Sequence, residues 1–330
     1  VIQFPETAQT EWQIVADAAR VEDDLRKRIA QDTLVENEVG RLRVRHHASL
    51  QFQQELDADL TPVLEMMTLD NYTAANSTVV APRDLIEGVV KANGLTIFLG
   101  PSGAGKSTLA LQMGYCLMTG KDWLGQPVQK INGSLGVLSY DMDGALVLDW
   151  MSGFPGIDAS KVSVVNAHKR GNPLGVPEMR AQIAGTWKAM QTEVVVVDSF
   201  GASFFGHDQN DAAATMAHYR DLTKFALYEA GAKAVIVLSH STESNPHKAR
   251  GSTTQHDVAD TIVSVYADPQ QQRHLRMVKY RQHRDAAGVF TKQMDPVIIG
   301  APDAVTHLVE LDLGAMTLGG LSLPVGAAAA

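Results

Sequence analysis

The chain has 330 residues, 45% apolar and 20% charged, with 28 Lys and Arg against 37 Asp and Glu for a formal charge of −9; this excludes collagen-like, disulfide-scaffold and wholly disordered classes and admits about two domains, or one large α/β unit with a helical arm. Its single cysteine, Cys116, permits neither an intramolecular disulfide nor a cysteine zinc cluster, so a reducing, cytoplasmic setting is expected. With no secretory leader pattern and no uninterrupted apolar run approaching about 18 residues, no membrane partner is expected.

In chain order, residues 1–70 hold 14 acids and 7 bases, which accounts for −7 of the −9. Within them, residues 8–58 contain no proline, and Leu25, Ile29, Leu34, Val39, Leu42 and Val44 recur at near-helical spacing. This predicts an α-helical N-terminal arm that must pack on its own domain or on a neighbouring subunit, because an isolated amphipathic helix is marginal. Residues 71–84 read as a linker. From about residue 90, β-branched runs alternate with helical windows, the pattern of βα units around a mainly parallel sheet. Strands are predicted near 95–99, 135–140, 162–166, 193–198 and 233–239, and helices near 105–119, 177–190 and 212–231. The period-two segments TIVSVYA, LRMVKYRQ and GVFTKQM then predict an antiparallel C-terminal extension of the same sheet. The α/β core thus spans 85–313, and the small-residue tail 314–330 is expected to be flexible.

The strongest chemical signal is Gly100-Pro101-Ser102-Gly103-Ala104-Gly105-Lys106-Ser107-Thr108, between a predicted strand and a predicted helix. Glycines there let backbone N–H groups turn inward around phosphates. Lys106 reaches the β/γ oxygens, Ser107 offers its hydroxyl to Mg²⁺, and the helix N-terminus adds positive potential, so ATP with Mg²⁺ is the expected cofactor pair. The run ending Val197-Asp198-Ser199 is a buried strand closed by an acid: Asp198 suits either a Mg²⁺ ligand or a helix cap. Asp141 and Asp143 end another strand, and either is a candidate base to orient water, or a turn residue before Gly144.

This order of P-loop, acid-ended strands, VIVLSHS and then Arg250-Gly251-Ser252 resembles the RecA-like P-loop ATPases, and most closely the RepA-like hexameric replicative helicases of plasmids and phages, over about residues 85–300. The resemblance implies that His240 senses the γ-phosphate. It also implies that Lys279 and Arg281 enter a neighbour's ATP site as trans fingers, whereas an exposed edge strand blunted by charge is the plainer reading of the same residues. That family usually carries Glu where this chain has Asp141. Strand periodicity puts Met277, Lys279 and Arg281 on one face and Tyr280 on the other.

Two loops follow the strands ending at Asp198 and His240. By the same resemblance they face a central channel and grip single-stranded DNA, with Lys248 and Arg250 on phosphates and Phe204 and Phe205 as a stacking surface, although either ring suits packing under its loop and Arg250 also suits nucleotide contact. The expectation is therefore a homo-oligomeric ring, a hexamer, that hydrolyses Mg-ATP and translocates on single-stranded DNA, with a primase or loader as further partner. A recombinase filament and a regulatory ATPase acting on protein partners are the alternatives. The net acidity argues weakly against a nucleic-acid partner, because a local basic strip can still bind phosphates.

Overall fold

The computed structural model describes residues 83–205, 208–242, 244–251, 254–270, 272–282, 291–303 and 308–312, and the isolated helical positions Arg20, Asp24 and Lys27. The chain divides into Val1–Val80 and Ala81–Ala330. Apart from those three positions, the expected helical arm lies outside the described residues, as do nearly all of the linker and the whole tail.

In Ala81–Ala330 the elements run β1 (Asp84–Ile86), β2 (Val90–Lys91), β3 (Gly94–Gly100), α1 (Lys106–Thr119), β4 (Ser134–Ser139), α2 (Gly144–Ser152), β5 (Val162–Asn166), α3 (Pro177–Ala189), β6 (Thr192–Asp198), α4 (Phe200–Ser203), α5 (Ala212–Lys224), β7 (Ala234–His240), α6 (Gln255–Val258), β8 (Thr261–Ala267), β9 (Arg273–Tyr280) and β10 (Val297–Ile299). The last turn after α5, Phe225–Glu229, is π-helical. Strands β3 to β10 form one sheet in the order β10-β9-β8-β3-β7-β6-β4-β5. From β8 through β5 every neighbouring pair is parallel, whereas β9 and β10 add antiparallel pairs.

The central strands are apolar along nearly their whole length because both sheet faces are covered. On one face, α1, β1, β2 and the C-terminal segment around Met294 and Val309 pack with Phe98, Leu135 and Val196; on the other, α3, α5 and the π-helical turn after it bury Trp187, Tyr219 and Phe225 against Leu99, Val195 and Val237. Two glycines set how closely the layers approach. A Cβ on Gly114 of α1 would lie 2.5 Å from Leu135, and one on Gly136 of β4 would lie 2.9 Å from the Trp187 ring.

Three expectations need correction. β8 is parallel to β3, so only β9 and β10 make the antiparallel extension. The described part of GVFTKQM, residues 291–294, is not strand; the last strand is Val297–Ile299. The register of β8 against β9 shifts between Ile262, which faces Lys279, and Val263, which faces Met277. Val278 is thus an extra residue in β9, and a bulge of this kind reverses the facing of everything beyond it. Met277 and Tyr280 consequently share one cluster, while Val278 packs with the other, so Lys279 does not share a face with Met277.

Candidate active site

The site lies at the C-terminal ends of β3, β7, β6 and β4, where open parallel sheets place their ligands. Register brings the residues together: Gly100 is opposite His240 and Ser139 is opposite Asp198. After β3 the chain turns through Gly103 (φ 75°) and Gly105 (φ 89°), left-handed conformations that favour glycine, and enters α1 at Lys106. Gly100 is needed for a different reason, since a Cβ there would fall 2.5 Å from the Val265 carbonyl oxygen. Pro101, Ser102 and Gly103 are exposed, Ala104, Gly105 and Ser107 are half-buried, and Thr108 is buried inside α1.

Lys106 is buried, and its Nζ donates to Gly100 O at 3.0 Å and Pro101 O at 2.9 Å, with His240 Nδ1 at 3.4 Å. Burial lowers its pKa, opposed by the nearby charges of Asp198 and Asp141. The ammonium is therefore held over the loop by weak carbonyl acceptors, which a phosphate oxygen can replace with a charge-assisted bond. Asp198 is pushed up to about 6 by burial, against the pull of the Ser107 hydroxyl on its carboxylate. A buried carboxylate beside a hydroxyl on the first turn of α1 is a donor set that suits a hard divalent cation such as Mg²⁺. Ser107 and Asp198 would hold such a cation, which would supply neutralisation of charge on the phosphates.

Asp141 and Asp143 are separated by the structure. Asp141 N donates to Asp198 O at 3.1 Å, Ser199 Oγ donates to Asp141 Oδ2 at 2.5 Å, and His240 Nε2 stands 3.7 Å from the same oxygen. His240 and then Ser199 hold this carboxyl below the usual range, partly offset by burial. Asp143 instead caps α2, accepting from Ala145 N at 2.9 Å, and also accepts from Asn166 Nδ2 at 3.3 Å. These two bonds hold its carboxyl low as well. Asp141 thus lies beside Lys106, Asp198 and His240, whereas Asp143 is engaged as the cap of α2.

The remaining expected residues divide. Phe204 is buried and stacks on Phe200 with ring centroids 5.3 Å apart, so the expectation that it presents a DNA-stacking face is corrected: its surface is spent on the core. Phe205 is 48% exposed. Lys248 is exposed. Arg250 lines a pocket of about 200 Å³ together with Asp141, Ser199, Gln209 and His240. Lys279 donates to His256 O, while Arg281 donates to Asp257 O at 2.8 Å and lies 3.4 Å from Asp260. Both are thereby tied to α6 and the turn after it. Ser252 lies outside the described residues.

Two residues that bear on the site were not singled out from sequence. Ser199 had a signal, since it follows the acid that closes β6. Arg273, whose Nη2 donates to Ala104 O at 2.9 Å, had none, because only the β8–β9 pairing brings it to the loop.

A glycine-rich loop between a central parallel strand and its helix, a lysine over that loop and a buried acid closing a nearby strand define a nucleotide-hydrolysing P-loop ATPase. The AAA domain family profile matches residues 62–245, more than half of the chain, and the protein belongs to that family. No curated protein matches it. Among the described residues, no helix is long and apolar enough to cross a membrane.

Proposed function

We propose that this ATPase is a Mg²⁺-ATP-driven, ring-forming motor of the RecA-like type that translocates on single-stranded DNA, as a replicative helicase of the RepA-like kind. One observation carries the reading most. Arg250 N donates to His240 O at 2.8 Å, so the loop bearing Lys248 and Arg250 is fastened to the residue whose Nδ1 stands 3.4 Å from Lys106 Nζ. In this reading Asp141 orients the attacking water, His240 registers the γ-phosphate, and the attached loop changes its grip on DNA as that phosphate comes and goes. Lys279 and Arg281 act in a neighbouring subunit's site after leaving their present carbonyl partners, the N-terminal arm docks on the next subunit, and a primase or loader joins the ring.

Electron microscopy with an ATP analogue and a single-stranded oligonucleotide, alongside hydrolysis with and without that oligonucleotide, tests the proposal. A closed ring and DNA-stimulated turnover are expected. A helical filament would favour a recombinase. Turnover indifferent to DNA at low salt would favour a regulatory ATPase acting on protein partners, a reading that the burial of Phe204 supports because it leaves Phe205 as the exposed ring of that pair.

A further inference from the structure

Arg273 opens β9, two strands away from β3, yet its guanidinium lies on the phosphate loop. Nη2 donates to Ala104 O at 2.9 Å and Nη1 donates to Gly300 O at 2.7 Å. A Cβ added to Gly105 would collide with Nη2. The planar group therefore occupies the space that the side chain of residue 105 would need, immediately before Lys106. Strand pairing fixes this placement: Ala267 faces Arg273 across the β8–β9 hairpin, and Ile299 faces it from β10.

The electrostatics of this arrangement are unusual. Among the described residues no carboxylate forms an ion pair with Arg273; its contacts are two neutral carbonyls. Partial burial of a guanidinium is costly unless an opposite charge answers it. The anion expected at this loop is the phosphate chain of the nucleotide, which matches the missing counter-charge in sign. Arginine also supplies five donors in a rigid fork, so one group can bridge two carbonyls and still present further N–H groups, which lysine cannot do with the same geometry.

We infer that Arg273 is a positioning residue of the phosphate loop, pinning Ala104–Gly105 to the C-terminal extension at Gly300 and setting a second cation, after Lys106, against the phosphates of the bound nucleotide. This deepens the nucleotide-hydrolysing reading and rests on it. The role is met within one subunit, unlike that proposed for Lys279 and Arg281, so it does not depend on ring assembly.

The test compares wild type, Arg273→Met, which keeps the aliphatic stem, and Arg273→Lys, which keeps the charge without the fork. Affinity for ATP and ADP is measured over a range of NaCl concentrations with kcat, KM and the melting temperature without nucleotide. Arg273→Met should weaken ATP binding by about tenfold or more, raise KM in step, and leave kcat at saturation within about threefold. Its ATP affinity should depend less steeply on salt than that of wild type, and Arg273→Lys should recover part of both the affinity and the slope. A role confined to folding would lower the melting temperature without altering the salt slope. ATP binding by Arg273→Met within twofold of wild type overturns the inference, as does an Arg273→Lys protein that is folded but no better than Arg273→Met. Wild-type protein with no ATP affinity would instead overturn the nucleotide reading itself.

Discussion

The two sides of the central sheet reach the same site by different means. Between β3 and β4, parallel strands buried on both faces simply end at it: the last residue of β7 is His240, the last of β6 is Asp198, and Asp141 follows two residues after β4. On the other side, β9 contributes Arg273 from its first residue and holds Lys279 and Arg281 at its far end, where the facing of each side chain depends on one extra residue, Val278. When a strand is covered on both faces, its chemistry is set by where it stops. In β9, where an extra residue falls inside the strand, chemistry is set by register, which a single bulge can reverse.

The sharpest way to break the comparison is at the parallel end. Lys106→Ala should lower kcat by about 10²–10³-fold, because it removes the positive charge directed at the β/γ-phosphates. Its thermal melt without nucleotide should be nearly unchanged, since burial already disfavours the ammonium there. Near-normal turnover would detach the site from the strand ends altogether.

Asp141→Asn should cost about 10²-fold in kcat if this carboxylate orients water, whereas Asp143→Asn should remain close to wild type, because asparagine caps a helix about as well as aspartate. Steady-state kinetics of the pair decides between the acids. A large loss in Asp143→Asn alone would mean that the short bonds around Asp141 are structural.

Stability tests sharpen the contrast between the halves. In the parallel half, Gly136→Ala pushes a Cβ to 2.9 Å from the Trp187 ring and should destabilise by about 1–3 kcal/mol through overpacking. In the C-terminal extension, the buried Gln112 amide donates to Val309 O at 2.8 Å and accepts from Val309 N at 3.0 Å. Gln112→Leu strands both backbone groups and should cost about 2 kcal/mol. Urea unfolding of both variants measures this, and an unchanged midpoint for Gln112→Leu would show that the extension adds little to the stability of the core.

The smallest effect is expected at Cys116, whose thiol burial pushes up to about 12. The folded pKa lies above that of an exposed thiol, so at pH 8 only about 10⁻⁴ of the side chain is thiolate and the native protein should resist alkylation. Labelling should appear on unfolding; rapid labelling of native protein would show that α1 opens readily.

Much of the parallel half was legible because its information is local. Runs such as Val194–Val197 need no partner to read as buried strand, the glycines and Lys106 of the loop are contiguous, and Asp198 and His240 are each placed by ending a run. Sequence alone therefore determined the α/β class, the phosphate loop, and the strand ends at which acids and a histidine would gather. Tertiary structure decided the rest. It separated Asp141 from Asp143, two residues apart in sequence but differing in whether a neighbouring strand or a helix end receives them. It buried Phe204 and left Phe205 exposed, since adjacent rings diverge where α4 ends. It turned Lys279 away from Met277 and brought Arg273 to the loop, because register and bulges depend on which strands lie side by side, and composition and spacing along one chain do not encode that pairing.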